Sequence, residues 1–417
     1  MKLSKNSKKL MLFFTKNKHI NNIKQNKRTD TIITELYNDI CEANKYLNII
    51  KQKSKYYHVT TKKILTASQI TRPQIFNSNS FPEVVRKHID EIMASEITYT
   101  FSLYGRNIKV HFIVEEDHVD HDIEIYNKHI DLIIMWIHIL NQHASKQCAN
   151  SLVIYLYFTS LEKSLPKSNI YILDELNVNT AFTTTCPKDS EIVVFRKEEW
   201  FKVFIHETFH NFGLDFSDMN NNEVNNCILK FFKVNSDVNL YESYTEFWAE
   251  IINALFCSFI SLKDKSDINE FLSNSEFFIN FERTYSFFQM VKTLNFMGLT
   301  YKDLYSNSVH SLIIRENLYK EKTHVLSYYI IKTVLINNYQ GFLFWCKENN
   351  FSLLQFKKTT KNQTEFCKFI EKNYKTASML NGVAETQKFF NVIQKQSKKI
   401  NLNYVLTNLR MSICELG

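Results

Sequence analysis

Residues 192–213 read Ile192-Val-Val-Phe-Arg-Lys-Glu-Glu-Trp-Phe-Lys-Val-Phe-Ile-His206-Glu207-Thr-Phe-His210-Asn-Phe-Gly213. The apolar run Ile192–Phe195 reads as a short strand, and a helix follows from about Lys197. Two histidines four apart lie on one helical face, one turn from each other. Their imidazoles can grip a single ion, and a zinc–nitrogen distance of about 2.1 Å suits that spacing. Glu207 stands beside the pair, placed to take a proton from a metal-bound water. Val203, Phe204, Ile205, Phe209 and Phe212 surround these groups with apolar side chains, which suits a buried helix. Gly213 falls where such a helix would stop in a left-handed cap.

Further on, Tyr241-Glu242-Ser-Tyr-Thr-Glu246-Phe-Trp-Ala-Glu250-Ile-Ile-Asn253 places three glutamates at i, i+4 and i+8 of a second helix. They form one acidic stripe. Phe247, Trp248, Ile251, Ile252, Leu255 and Phe256 make most of the remaining circumference apolar. Stacked like charges destabilise a helix, so the stripe calls for a counter-charge such as a metal or a histidine.

A His-Glu-x-x-His helix followed by a Glu-x-x-x-Glu helix resembles the gluzincin zinc metallopeptidases, whose thermolysin-like members carry Glu-x-x-x-Asp in the second helix. The resemblance spans about Ile192–Leu262, well under a quarter of the chain. It implies a zincin-like catalytic domain with Zn2+ as cofactor and a peptide or protein as substrate. His206, His210 and Glu246 would be the metal ligands and Glu207 the general base. Glu250 would orient His206 from behind. Here Glu replaces Asp at that last position, and 36 residues separate His210 from Glu246. Glu242 and Glu250 therefore stand as competing ligands. The metzincin pattern fits less well. Gly213 matches it, but its third ligand would fall on Phe216; Asp215, one residue off, would be a ligand in aspzincin fashion. The same resemblance implies a peptide-pairing edge at Asn177–Thr183, with Asn179 and Ala181 facing substrate and Val203 lining a side-chain pocket. Tyr328 or His324, four apart on a later helix, would stabilise the oxyanion.

The rest of the chain sets an α+β frame. Ile97–Leu103 and Ile108–Val114 alternate around a Gly105-Arg106-Asn107 turn, which predicts a hairpin. Thr31–Lys51 and Ile123–Leu140 read as amphipathic helices, and Leu152–Phe158 as a buried strand. Ile170–Leu173 and Ala181–Thr185 read as a further extended pair. Nearly everything beyond residue 223 reads as helix. The expected organisation is a basic, disordered tail (1–29), a helical region (30–95), the zincin-like domain with a small mixed sheet (96–262) and a mostly helical C-terminal lobe (263–417).

With 51 Lys+Arg against 43 Asp+Glu, the net charge of +8 is too mild for a dedicated nucleic-acid binder. Nucleic acid is expected to make at most weak contacts, through the basic tail. Eight cysteines without a Cys-x-x-Cys pair read as reduced thiols. No export signal and no membrane span is read, so the expected location is the cytoplasm. The Lys-, Asn- and Ile-rich, Gly-poor style loosely resembles uncharacterised proteins of large DNA viruses. That implies a host-cytoplasm or virion setting, and a non-catalytic, virion-associated protein keeping a metal site as the competing function.

Overall fold

The computed structural model describes residues 2–53, 56–78, 80–117, 123–396 and 402–417. Six strands form one mixed sheet in the order β1-β2-β3-β4-β6-β5. β1 (His58–Lys63), β2 (Ser95–Leu103) and β3 (Arg106–Val114) run antiparallel; β3, β4 (Ser151–Phe158) and β6 (Asp189–Val194) run parallel; β5 (Ala181–Thr183) closes the edge antiparallel to β6. The expected hairpin is present, one position earlier than read. Tyr104 and Gly105 both take positive φ (52° and 78°), the two-residue turn that matches strand twist, and Arg106 already pairs with Leu103. Ile97, Tyr99, Phe101 and Leu103 are buried while Thr100 and Ser102 are exposed, so the period-2 pattern selects the core face. The extended pair is half present: β5 forms, but Leu173 makes only an isolated bridge, to Glu321.

The helices preceding β6 are α1 (Lys5–Lys16), α2 (Lys27–Lys51), α3 (Glu83–Ile92), α4 (Ile123–His143) and the single turn α5 (Glu175–Val178). Those following β6 are α6 (Trp200–Asn211), α7 (Asn222–Phe231), α8 (Leu240–Ser261) and α9 (Ile268–Phe296), then shorter helices up to residue 407. The α+β reading stands, with a helical C-terminal part. All twelve residues of α6 are buried, because it lies between β5 and β6 on one side and α8 on the other.

Three expectations are corrected. Residues 2–29 of the expected tail (1–29) are not loose: Leu10, Met11 and Phe14 are buried, and Phe14 meets Tyr285 and Phe288 edge-on. The link to α2 is stitched to α9 by Asn280, whose side chain accepts from Ile23 N (2.8 Å), and by Arg283, which donates to Asn21 O (2.7 Å). An apolar face too short to stand alone becomes ordered once a larger helix covers it. The thiols are not all free: Cys148–Cys186 and Cys227–Cys367 are disulfides, whose partners lie 38 and 140 residues apart. Finally, the helical reading fails at the end of the chain, and at 397–401 it falls outside the described residues.

Residues 409–414 run through the core without regular structure, all buried. Buried backbone donors need acceptors, and two buried carboxylates supply them. Glu199 accepts from Met411 N (3.1 Å) and Ser412 N (2.6 Å), and Glu282 from Ile413 N (3.0 Å), Cys414 N (2.9 Å) and Ser412 Oγ (2.5 Å). Glu282→Ala strands two backbone donors, those of Ile413 and Cys414, while Ser412 Oγ keeps Cys414 O (3.0 Å) as acceptor. It is expected to lower the unfolding free energy by about 3 kcal/mol or more, measured by denaturant titration.

Candidate metal centre

The C-terminal end of α6 ends as the sequence suggests, and that ending builds half of the site. Gly213 has φ +67°, Leu214 N donates to Phe209 O (2.8 Å) and Gly213 N to His210 O (3.0 Å). This paired cap turns the chain back on the helix. Asp215 is thereby returned to His210, whose Nδ1 donates to Asp215 Oδ2. Ser217 N and Oγ hold the other carboxylate oxygen, at 3.0 and 2.7 Å. Trp136 Nε1 donates to Thr208 Oγ1 (2.8 Å), fixing the opposite side of α6 against α4.

α8 packs beside α6 and brings its glutamate stripe opposite the histidines. His206 Nδ1 donates to Glu246 Oε2 (2.9 Å), and Lys202 Nζ, one turn earlier on α6, donates to Glu246 Oε1 (2.6 Å). The other ring nitrogens converge on Glu242. His206 Nε2 and His210 Nε2 lie 3.1 and 3.4 Å from Glu242 Oε2, and 3.2 Å from each other. Four ligands about 2.1 Å from a tetrahedral ion stand about 3.4 Å apart. The three atoms thus make one face of such a tetrahedron, with the fourth corner free of a fourth His, Cys, Asp or Glu among the described residues. The buried group His206, His210 and Glu242 can hold a metal ion.

The register on α8 is therefore one turn earlier than expected. Glu246, expected as the third ligand, sits behind His206 in the orienting role. Glu250, expected behind His206, instead meets Lys332 Nζ at 2.6 Å. Glu242, not Glu246, belongs to the group that could hold an ion, and Asp215 bonds His210 Nδ1 from outside that group. The stripe Glu242-Glu246-Glu250 contains two overlapping Glu-x-x-x-Glu pairs, so spacing alone does not choose between them. Composition held a signal: the apolar residues Phe247, Trp248, Ile251 and Ile252 crowd Glu250, leaving Glu242 at the open end. Lys202 and Lys163, both buried, carried no signal, since an isolated lysine reads as surface.

Glu207 is buried and makes no hydrogen bond or ion pair among the described residues; burial raises its carboxyl pKa, against the pull of His206 and His210. It lines a cleft with about 30 Å³ of free space, enough for a water or two, together with His206, Val203, Asn179, Ala181, Lys202 and Tyr328. Tyr328 Oη donates to Glu242 Oε2 (3.0 Å) from a π-helical turn, Leu326–Ile331. His324 is one layer back: its ring is 5.9 Å from that of Tyr328, and its Nε2 is 3.4 Å from Asn239 Nδ2. Asn179 Oδ1 accepts from Thr323 Oγ1 (2.8 Å), which ties the edge-strand approach to the same segment.

Burial opposes charge on every member of the cluster, yet pairing wins. Asp215 and Glu242 raise His210 well above its usual pKa, and hydrogen bonds to Glu242 and Glu246 raise His206. His210 and His206 in turn hold Glu242 well below the carboxylate range. In the metal-free protein, protons thus do the work of a cation. A raised histidine stabilises the fold fully below its unfolded pKa of about 6.5 and loses that contribution as pH rises through the folded value. The melting temperature of metal-free protein is expected to fall as pH rises above 6.5, and metal is expected to abolish that fall. In metal titrations, Glu242→Ala is expected to lose the ion, Glu246→Gln to weaken it about 10–100-fold through His206, and Glu250→Gln to leave it unchanged.

No helix among the described residues is long and apolar enough to cross a membrane. No protein-family model, curated protein or solved structure matches the chain.

Proposed function

We propose that the chain is a zinc-dependent peptidase of the gluzincin kind, with a zincin-like arrangement of sheet and metal-binding helices. One observation carries the reading: the three mutually close atoms of His206, His210 and Glu242, with one corner open and an unpaired Glu207 lining the adjoining cleft. Two imidazoles and one carboxylate are a donor set for catalytic zinc, and each imidazole is oriented by a carboxylate at Nδ1, Glu246 or Asp215.

Zinc, which His206, His210 and Glu242 would hold, would supply Lewis acidity at the cleft. Glu207 then accepts the proton of a water entering the cleft as the water oxygen attacks the scissile carbonyl carbon. It returns that proton to the amine nitrogen as the C–N bond breaks. Its raised pKa suits both transfers. Tyr328 Oη, now on Glu242, lies where it can turn its hydrogen bond to the carbonyl oxygen as that oxygen gains charge. His324 supports Tyr328 rather than reaching the carbonyl.

Substrate would lie along β5. Among the described residues that strand is the last of the sheet and its outer backbone groups have no strand partner, so an extended peptide can add there. Ala181 and Asn179 line the cleft at this edge, and Val203 forms part of its wall.

Wild-type and Glu207→Gln protein are each expected to bind about one zinc per chain. Cleavage of a peptide library by the variant is expected to fall by a factor on the order of 10²–10⁴. Equal cleavage by the two would remove Glu207 as the base. Zinc uptake without cleavage by the wild type would favour a non-catalytic metal protein.

A further inference from the structure

The chain behind His210 carries a cross-link. Cys148 precedes β4 and Cys186 precedes β6, parallel strands whose first residues, Ser151 and Asp189, are paired. The disulfide thus joins the two loops that lead into these strands, and the loop bearing Cys186 lies against the end of α6. Cys186 N donates to His210 O (3.3 Å). Thr185 Oγ1 and Ser217 Oγ are 2.9 Å apart, and Ser217 in turn holds Asp215, the carboxylate that bonds His210 Nδ1. The bridge also packs on the cap glycine: a Cβ on Gly213 would stand 3.4 Å from Cys186 Cβ and 3.7 Å from Cys148 Sγ. Gly213 is where the chain reverses to return Asp215 to the helix. The bridge therefore backs both the His210 backbone and the carboxylate that orients its ring.

The backbone beside the bridge is held in the left-handed region. Cys186 has φ +47° and Ala149 φ +53°, uncommon for residues that carry a Cβ. Such conformations persist where the surroundings over-determine them. Here the bridge does so together with two hydrogen bonds, Ala149 N to Pro187 O (2.7 Å) and Ser151 N to Lys188 O (3.2 Å). Cys186 is half-buried and Cys148 fully buried, so Cys186 is the sulfur that solvent reaches more readily. The other disulfide, Cys227–Cys367, ties α7 to the helix Thr360–Asn373.

We propose that the Cys148–Cys186 disulfide is a redox control on the metal centre: closed, it holds His210 in ligand geometry, and opened by a dithiol it lowers the affinity for zinc. A thiolate of the dithiol attacks Cys186 Sγ, and Cys148 leaves as a thiolate and takes up a proton. The second thiol of the dithiol then attacks the mixed disulfide, closing its own S–S bond and releasing Cys186 as a thiol. Two electrons pass from the dithiol to the cysteine pair. Cys186 and Ala149 then relax toward negative φ, which draws Cys186 N from His210 O and Thr185 from Ser217. The inference rests on the metal centre and not on peptide cleavage.

Zinc affinity is read by competition with a chromophoric chelator. The full chain is compared as oxidised protein and after reduction with dithiothreitol, which is removed by gel filtration without air. Reduction is expected to weaken zinc about 10–100-fold, the usual effect of losing a group that orients a ligand. Cys148→Ser/Cys186→Ser is expected to show the weak affinity under both treatments. Cys227→Ser/Cys367→Ser is expected to keep the whole redox response. In that second variant reduction opens Cys148–Cys186 alone among the described disulfides, so the comparison stands even where the first variant does not fold. Equal zinc affinity of its oxidised and reduced forms overturns the proposal, as does a redox response that survives in folded Cys148→Ser/Cys186→Ser. Zinc uptake by neither form of the wild type removes the metal centre and the proposal with it.

Discussion

Three carboxylates in a row on a buried helix cannot persist unless each meets a positive group, and the architecture follows from how those groups are supplied. Glu242 faces the two histidine Nε2 atoms, Glu246 is shared by His206 Nδ1 and Lys202, and Glu250 meets Lys332. Two of the three sets of partners come from α6, so the pairing fixes both the distance and the rotation of α6 against α8. A slip of one turn would set a glutamate against apolar side chains and leave a lysine buried alone, at a cost of several kcal/mol. The triangle of His206, His210 and Glu242, which could hold a metal ion, is thus a by-product of charge matching between two packed helices.

Buried ion pairs are not a cheap route to stability, since desolvation offsets most of their attraction. Here they bring specificity of position. Lys202 holds Glu246 in place, Glu246 holds the His206 ring, and the ring then presents Nε2 to Glu242. Asp215 does the same for His210 by a different route, through the reversed chain beyond Gly213. At the other end of α6, Glu199 adopts a positive φ (58°), uncommon for a residue other than glycine. Its carboxylate is held by Lys163 (2.5 Å) and by the backbone of Met411 and Ser412. The strained start of the helix is therefore kept by the buried C-terminal segment, and Met411 of that segment reaches the cleft. Elements far apart in sequence converge on one helix.

Much of this was legible in the residues. The His206-Glu207-x-x-His210 helix, its glycine stop, the acidic stripe on α8 and the β2–β3 hairpin rest on local rules of period, capping and turn chemistry, and they lie where those rules put them, save that the hairpin turn comes one position earlier. Tyr328 and Val203 border the cleft. What misled was any inference needing a distant partner. The N-terminal lysines read as a solvated tail because the helix that covers Leu10, Met11 and Phe14 lies more than 250 residues away. The cysteines read as free because disulfide partners 38 and 140 residues apart leave no spacing pattern.

The sequence alone determined which side chains share a helical face, where α6 stops and that α8 must find counter-charges, because 3.6-residue periodicity and capping act over a few residues. Only the tertiary structure decided that Glu242 rather than Glu246 completes the triangle that could hold a metal ion, that Asp215 turns back to His210, and that a final irregular segment shares the core with the cleft. The physical reason is rotation and register between packed helices: one turn of α8, about 5.4 Å, separates a ligand from an orienting group, and no local pattern encodes that offset.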